Sequence, residues 1–373
     1  MVETINLDIK IVDKIKRDKD ECTDCKLCFN KCPMMKEFSS SPENLMKEIL
    51  DGTVDYKSVA YSCMLCGLCN QKCKKNIDLG STFYQIRENI ALKDKKTLRK
   101  KGYSIVKFHQ MNSFSPIFSK DLNTENAKVV FLPGCSLSSY SDSIVKKIYK
   151  YLQKHYKDIG MTFKCCGKPT ISMGEVEKFN KYYDKIESLI SNNEIEEIIV
   201  ACPNCYNTLS KNSKRIKITS LYEVIKDKGI PKNLKNNFEN ITCSVHDSCS
   251  IRYEKCIHDS VRYILKELGV NIVEFENCRE NTVCCGAGGM VAITNSEVSL
   301  KQINRRANET KCENIVCYCQ SCCESLLNSD KNIFHILDLI FNESFINKNV
   351  VSQSTENTLK KWKNRYKTVR IKL

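Results

Sequence analysis

The chain of 373 residues lacks several features that mark common protein classes. No apolar run approaches the roughly 18 or more residues that a membrane-spanning helix needs, so no span is predicted. Charged residues at Glu3, Asp8, Lys10 and Asp13 interrupt any apolar core near the start, which argues against a signal peptide. We therefore expect a protein that is soluble in the cytoplasm, or that is attached to the inner face of the cell membrane only through a partner.

Motifs for organic cofactors and for nucleic acid are also missing. The stretch Gly286-Ala-Gly288-Gly289 is glycine-rich but lacks the full G-x-G-x-x-G spacing, so we expect no flavin or NAD bound by this chain. Only five histidines are present, spread along the sequence, which argues against a zinc hydrolase. The formal net charge is +15, yet no nucleic-acid-binding module is visible, and we expect no nucleic acid partner.

Cysteine, by contrast, is abundant, with 24 residues, and eight of them form one recognisable pattern. Residues 22–33 and 63–73 both contain C-x2-C-x2-C-x3-C, the spacing of paired four-iron clusters in ferredoxins, in which the fourth thiolate crosses to the other cluster. This spacing disfavours the alternative, zinc. The two predicted ligand sets are Cys22, Cys25, Cys28 and Cys73, and Cys63, Cys66, Cys69 and Cys32.

Ten further cysteines form a five-residue layout that occurs twice. Corresponding members lie 114, 119 and 117 residues apart, which indicates an internal duplication. Five thiols exceed the four ligands of zinc or of a cubane cluster, so each set predicts a larger or more open metal centre; the alternative is buried cysteines or disulfides. The two sets are Cys135, Cys165, Cys166, Cys202 and Cys205, and Cys249, Cys284, Cys285, Cys319 and Cys322.

The pattern of apolar residues predicts a mainly parallel α/β fold behind a helical front part. Strand-like runs at 128–132, 198–201, 241–245 and 315–317 lead into ligand cysteines, and helical patterns lie between them. Ligands just past strand ends fall in the crevice where such folds bind cofactors. The expected divisions are a helical ferredoxin-like domain at 1–92, a linker at 93–126, duplicated cysteine-rich (CCG) domains at 127–240 and 241–345, and a basic tail at 346–373.

The duplicated C…C-C-G…C-x-x-C units resemble the CCG domains of heterodisulfide reductase, as found in its B-type component, and the front pair is similar to its C-type component. A fusion of the two resembles the D-type catalytic component, and it is equally similar to the iron–sulfur subunits of glycolate oxidase and anaerobic glycerol-3-phosphate dehydrogenase. The resemblance implies two cubane [4Fe-4S] clusters in front and one noncubane [4Fe-4S] cluster at each five-cysteine set. It also implies that disulfide cleavage would occur between these two sets.

Three functions are compatible with these patterns. The first is an electron-transfer subunit of an anaerobic oxidoreductase, working between a flavoprotein dehydrogenase subunit and an acceptor such as a quinone, a disulfide, or a membrane or quinone-linked subunit. The second is a disulfide or heterodisulfide reductase with Cys166 and Cys285 as catalytic residues and His246 as a proton donor; alternatively, His246 only orders its loop. The third is a non-enzymatic metal-binding or assembly module.

Two basic features have both a functional and a structural interpretation. Lys168, beside the first vicinal cysteine pair, either steers an anionic substrate or tunes the potential of the site, or it is a surface lysine. The basic tail contains the only tryptophan, Trp362, interleaved with Tyr366, Val369 and Ile371. It is either a solvated face or a docking surface for a partner or for lipid headgroups.

Overall fold

The computed structural model describes residues 6–213, 215–347, 352–354 and 357–371. Over these ranges the protein is a mixed α/β structure with a helical front part and two sheet-containing lobes, which confirms the predicted fold class. None of the helices in these ranges combines the length and the apolar character that crossing a membrane requires.

Helices alone form the described front part. Helix α4 has well-defined ends: the Ser41 side chain accepts a hydrogen bond from Asn44 N at 3.2 Å, Pro42 occupies the first turn, and Gly52 ends the helix with a φ of 68°. The nine helices of this part are α1 Ile9–Glu21, α2 Leu27–Asn30, α3 Pro33–Phe38, α4 Pro42–Asp51, α5 Tyr56–Ser62, α6 Leu68–Lys72, α7 Leu79–Lys93, α8 Lys95–Lys100 and α9 Tyr103–Asn112.

The first lobe surrounds a five-stranded sheet with the order β1-β3-β2-β4-β5, in which β1 alone runs antiparallel to its neighbour. Its strands are β1 Asp121–Leu122, β2 Val129–Leu132, β3 Gly160–Thr162, β4 Glu197–Val200 and β5 Lys217–Ser220. Its helices are α10 Cys135–Tyr140, α11 Asp142–Gln153, α12 Lys168–Ser172, α13 Val176–Asn192, α14 Pro203–Asn212 and α15 Leu221–Lys228.

The second lobe repeats this topology with the order β7-β6-β8-β9, all parallel. Its strands are β6 Thr242–His246, β7 Asn271–Ile272, β8 Asn314–Cys317 and β9 Asn332–His335. Its helices are α16 Lys255–Glu267, α17 Val291–Thr294, α18 Ser296–Ala307, α19 Gln320–Leu326, α20 Ile336–Phe341 and α21 Glu343–Ile346, and the final described helix is α22 Thr358–Thr368. Apart from β1, the two sheets have the same strand order, so the duplication in sequence is also a duplication of fold.

The central strands are apolar because both faces of each sheet are covered. In β2, Val130, Phe131 and Leu132 are fully buried, and Ile315 and Val316 are fully buried in β8. Because neighbouring strands are parallel, their carboxyl ends meet at one edge of each sheet. The cysteines that follow β2, β4, β6 and β8 therefore lie at these edges.

The segment predicted to be a linker and the described part of the predicted basic tail both pack against the first lobe. Residues 93–126 contain α8, α9 and strand β1, which joins the first sheet. Helix α22 of the basic tail packs on α10, where the Thr368 hydroxyl donates to Ser138 O at 2.7 Å. The Trp362 ring lies 4.7 Å from the Phe118 ring, centroid to centroid. This part of the tail is therefore an integral layer of the lobe.

Candidate metal centres

The two front cysteine loops share one unusual backbone conformation. Asp24 and Leu65, each two residues after the first cysteine of its run, have φ of 45° and 51°. Lys26 and Gly67, two residues further on, have φ of 58° and 71°. Such left-handed conformations cost about 1 kcal/mol or more at residues other than glycine. Their repetition indicates that both loops wrap around a similar object.

One front set of four thiols surrounds a single apolar cavity. Its lining includes Cys32 of the first run with Cys63, Cys66 and Cys69 of the second, which is the crossed set predicted from the sequence, and also Cys28 of the other predicted set. The Leu65 amide donates to Cys63 Sγ at 3.4 Å, as expected of a loop that stabilises a thiolate. Cys284 of the second lobe forms part of the same wall.

The other front set is more exposed. Burial first, and then the nearby thiols of Cys22 and Cys73, raise the pKa of Cys28 to about 12. Cys25 is exposed to solvent and contributes a weaker electrostatic effect on the same thiol. The structure therefore places these four cysteines near one another, as the crossed assignment from the sequence requires.

In the first lobe, five thiols lie beyond the carboxyl ends of three strands. Cys135 begins α10 after β2, the vicinal pair follows β3, and Cys202 precedes α14 after β4. The thiols form a continuous series of contacts in the order Cys135, Cys165, Cys166, Cys205 and Cys202. Gly167 turns the chain after the pair with a φ of 80°, and a Cβ there would lie 2.7 Å from the Phe179 ring.

The second lobe repeats this arrangement after β6 and β8. Its thiols are in contact in the corresponding order Cys249, Cys284, Cys285, Cys322 and Cys319. The Sγ atoms of Cys285 and Cys322 are 3.2 Å apart. Gly286 has a φ of 93°, and a Cβ there would lie 2.9 Å from Ser299 O. A glycine with a positive φ thus follows each vicinal cysteine pair, and any other residue at that position would be strained.

The two five-cysteine sets meet at the interface between the lobes. The thiol of Cys202 is in hydrogen-bonding contact with that of Cys319. Asn204 Nδ2 lies 3.9 Å from Cys319 Sγ, and the hydroxyls of Ser136 and Ser321 are 3.0 Å apart. Ten thiols from two lobes therefore form one connected group.

The chemistry of these thiols fits a metal–sulfur centre. Hydrogen bonding to a neighbouring thiol, followed by burial, raises the pKa of Cys135, Cys205 and Cys322 well above the ordinary value. Such thiols ionise readily only beside a cation, which bound metal ions supply. The Gly286 amide donates to Cys284 Sγ at 3.4 Å, a contact that stabilises a thiolate. The five cysteine thiols at each site exceed the requirement of a tetrahedral zinc ion.

His246 and Asp247 have separate roles in the structure. Asp247 orders its loop: it accepts two hydrogen bonds from Arg262, at 2.9 and 2.8 Å, and one from the Tyr318 hydroxyl at 3.0 Å. A ring nitrogen of His246 lies within 4.8 Å of the sulfurs of two second-set cysteines. Burial and the Arg306 charge lower the pKa of His246 to about 3, and its Nδ1 accepts from Arg306 Nε at 3.0 Å. His246 is therefore a neutral residue whose other ring nitrogen carries the proton.

Lys168 is half-buried between the two five-cysteine sets. Burial lowers the pKa of its ammonium, while the Cys166 thiol of the first set and the Cys249 thiol of the second both act to raise it. Within the described residues, Lys168 forms no ion pair with a carboxylate. The ammonium of Lys168 therefore lies within electrostatic range of a thiol from each five-cysteine set.

Two residues beside the first set could not be identified from the sequence. His109 of α9 has a ring nitrogen within 4.8 Å of the Cys135 and Cys165 sulfurs. Arg365 of α22 is buried and donates to Cys135 O at 3.4 Å and to Phe163 O at 2.9 Å. Both lie in segments without cysteine, and no spacing in the sequence relates them to the ligands.

The front part contacts the second lobe directly beside its cysteines. Arg252, three residues after Cys249, donates to Cys66 O at 2.8 Å and to Thr282 O at 2.9 Å. A Cβ added at Gly288 would collide with Met64 O. The glycine-rich stretch thus provides close packing for a front cysteine loop.

Comparison with known proteins agrees with this architecture. The 4Fe-4S dicluster domain family matches residues 21–78, and the cysteine-rich domain family matches residues 129–210 and 243–326. An uncharacterized iron–sulfur protein of Methanococcus maripaludis is 25% identical over 346 residues, which cover 84% of this chain and 68% of the relative. The D-type component of dihydromethanophenazine:CoB–CoM heterodisulfide reductase from Methanosarcina mazei is 21% identical, with 78% of this chain and 83% of the relative covered.

Two further similarities are weaker, because one covers only about half of this chain and the other has a low structural score. EtfAB:quinone oxidoreductase of Syntrophomonas wolfei is 24% identical over 197 residues, which cover 49% of this chain and 27% of that protein. A crystal structure of glutamate racemase isoform RacE1 from Bacillus anthracis superimposes over 62% of this chain and 86% of its own, with a TM-score of 0.26 and 13% identity. That score is too low to indicate a shared fold.

The matched domains coincide with the cysteine sets that the structure brings together, and the named relatives are oxidoreductases or their subunits. The chain is thus an iron–sulfur protein and an oxidoreductase subunit. It belongs to the iron–sulfur proteins in which a 4Fe-4S dicluster domain precedes two cysteine-rich domains, with the D-type component of heterodisulfide reductase among its homologues.

Proposed function

We propose that this chain is the electron-carrying subunit of an anaerobic oxidoreductase, placed between a flavoprotein partner and an acceptor. The front sets of four cysteines would hold cubane [4Fe-4S] clusters and the five-cysteine sets noncubane [4Fe-4S] clusters, which supply one-electron steps when bound. The names of two relatives support a quinone or a disulfide as the acceptor. A membrane or quinone-linked subunit would then be the second partner.

The observation that carries this proposal is the unbroken series of contacts between the cysteine sets. The cavity lined by Cys32, Cys63 and their companions shares a wall with Cys284 of the second lobe. The second lobe in turn contacts the first through Cys319 and Cys202. The spatial order of the cysteine sets is therefore front sets, second five-cysteine set, first five-cysteine set, which differs from their order along the chain.

Protein groups around this route hold the loops in place and keep water away. Arg252 ties the Cys66 loop to the second lobe, and most of the five-cysteine thiols are buried. Asn204 directs its amide toward Cys319 at the point where the lobes meet. Rigid, dry surroundings keep the reorganisation that accompanies a change of charge small, and this is what an electron carrier requires.

A cysteine exchange at the junction tests the proposed order. Cys66→Ser should lower the iron content of the anaerobically purified chain from about sixteen to about twelve atoms. It should also block reduction of the five-cysteine sets by the co-purifying flavoprotein, while dithionite still reduces them. Cys256→Ser changes an exposed cysteine outside every set and is the matched control. Equal reduction by the flavoprotein in both variants would contradict the proposed route.

Catalysis of disulfide reduction by this chain is the second candidate, and Lys168 is the observation that favours it. Its charge acts on a thiol of each five-cysteine set, so it would attract a disulfide that carries a carboxylate or a phosphate. With an artificial reductant, Lys168→Met should raise KM for an anionic disulfide and leave KM for a neutral disulfide nearly unchanged. Lys168→Arg should restore most of the difference. A wild-type chain that reduces no disulfide eliminates this candidate and leaves electron transfer.

A further inference from the structure

The positive charge of the chain is concentrated in two segments. Residues 95–120 contain seven Lys or Arg residues and residues 357–371 contain six, and neither segment contains Asp or Glu. The formal net charge of the whole chain is +15, so these segments account for most of it. A general compositional bias would spread the excess along the chain, whereas here it is local.

Helix α9 and the turn 113–119, at the end of the first segment, form one continuous surface with α22, whereas the five basic residues at 95–101 lie in or next to α8. The Trp362 ring of α22 lies 6.2 Å from the Phe108 ring of α9 and 4.7 Å from the Phe118 ring, centroid to centroid. Arg370 donates to Ile117 O at 3.0 Å and stacks on Tyr366, with its guanidinium carbon 3.5 Å from the ring centroid. We call the outer side of α9, the turn 113–119 and α22 the basic face.

The basic face also exposes an unusual amount of apolar surface. Of the eleven large apolar side chains in the described residues that are at least 44% exposed, six lie on this face: Ile105, Phe108, Met111, Ile117, Leu359 and Tyr366. Exposed lysines lie among them, including Lys107, Lys363 and Lys367. Apolar side chains this exposed and this close together are uncommon on a protein surface without a binding role.

We propose that the basic face docks on an anionic lipid surface. Interleaved lysine and apolar side chains match the two layers of such a surface, since headgroup phosphates attract the ammonium groups and the acyl boundary accepts the apolar groups. Each lysine near an anionic bilayer strengthens binding about fivefold. The complete lack of carboxylates on these segments favours lipid headgroups, because a protein partner of mixed charge would need some acidic residues for complementary ion pairs.

This docking would orient the redox sites, a consequence that rests on the proposed function. The inner sides of the same elements contact the first five-cysteine set, through His109 in α9 and Arg365 in α22. The first set would therefore be separated from the membrane by little more than one helix diameter, which is about 10 Å. A lipid-dissolved acceptor would meet that set.

Vesicle flotation of the anaerobically purified full chain tests the docking by itself, without any electron transfer. The wild type should float with phosphatidylcholine vesicles that contain phosphatidylglycerol, should float poorly with phosphatidylcholine alone, and should be released by high salt. The double variant Lys363→Glu, Lys367→Glu should bind at least about tenfold more weakly. Lys226→Glu, Lys266→Glu, which reverses two exposed lysines elsewhere, should bind like the wild type apart from a small effect of net charge.

A second pair of variants examines the apolar contribution. Ile105→Ser, Met111→Ser should reduce binding to anionic vesicles severalfold, whereas Ile9→Ser, Leu300→Ser removes exposed side chains outside the face and should not. Unchanged visible absorption of the bound clusters in each variant shows that the fold is intact. Failure of the wild type to float with anionic vesicles, or equal flotation of the charge-reversed and control variants, overturns the lipid assignment and leaves the face to a protein partner.

Discussion

Replacement of Arg87 by Met should destabilise the junction at which the front part meets both lobes. Arg87 lies in α7, and its side chain is fully buried. Its Nε donates to Ala60 O at 2.8 Å. Its terminal nitrogens donate to Ser172 O and Gly289 O from Nη1 and to Cys63 O from Nη2, each at 2.6 Å. One guanidinium thus joins a front cysteine loop to a loop of each lobe.

The size of the effect follows from the groups that would lose a donor. Three buried carbonyls would lose their donor, since Ala60 O still accepts from the Cys63 amide at 3.3 Å, and each costs about 1 kcal/mol or somewhat more. Removing the cation also brings a gain, because burying a charged guanidinium costs free energy. The same burial holds the pKa of Arg87 below its ordinary value. No ion pair with a carboxylate offsets that cost among the described residues. We therefore expect Arg87→Met to lower the free energy of unfolding by roughly 3 kcal/mol.

Anaerobic urea unfolding followed by circular dichroism measures this loss. Arg87→Lys keeps the charge but has fewer donors in a different geometry, so it should lie between the wild type and Arg87→Met. Arg99→Met is the matched control, because Arg99 is exposed on the adjacent helix α8 and its loss should cost less than about 0.5 kcal/mol. A loss below about 1 kcal/mol for Arg87→Met, or equality of the Met and Lys variants, would refute the reasoning.

Three further predictions concern single positions. Gly288→Ala should slow electron transfer from the front part into the second lobe, because the added Cβ would collide with Met64 O. Stopped-flow reduction measures this rate, and it should be unchanged in the control Gly229→Ala, where the added Cβ meets open space. Burial lowers the pKa of His335 to about 3, so the folded chain favours the neutral ring, and the associated stability is present above pH 6.5 and lost as the pH falls toward 3. Between pH 7 and pH 5 that loss should be about 2 kcal/mol, and His335→Asn, which keeps a capping acceptor, should remove it from the pH dependence of unfolding. His109→Gln should alter the paramagnetic signal of the first five-cysteine set and leave the front signals unchanged, since its ring lies beside the sulfurs of that set.

The cysteine patterns and the fold class could be read from the sequence because both are encoded over short distances. The spacings within residues 22–33 and 63–73 are fixed by the size of a cluster. The strand-like runs before Cys135 and Cys249 are apolar because parallel strands are covered on both faces. The duplication then identified the two sheets as copies, and their strand orders agree.

The relation between the sets could not be predicted, because it depends on contacts between distant residues. Arg252 and Cys66 are separated by 186 positions, and the pattern around neither one indicates the hydrogen bond. Arg365 lies 230 positions from Cys135 in a segment that reads as a solvated basic tail. Charge patterns alone do not distinguish a buried arginine that binds carbonyls from an exposed one, since only the packing of the folded chain decides which it is.

The two repeats keep the same ligands but have acquired different surroundings, and the difference suggests a division of labour. The second set faces the front part and is flanked by His246, which comes from its own lobe. The first set is flanked by His109 and Arg365, which come from segments outside the duplicated unit. Identical ligands in unequal surroundings differ in hydrogen bonding, charge and exposure, which are the properties that set the potential of a cluster. A difference in potential between the sets would give electron flow a direction, and symmetric surroundings could not supply it.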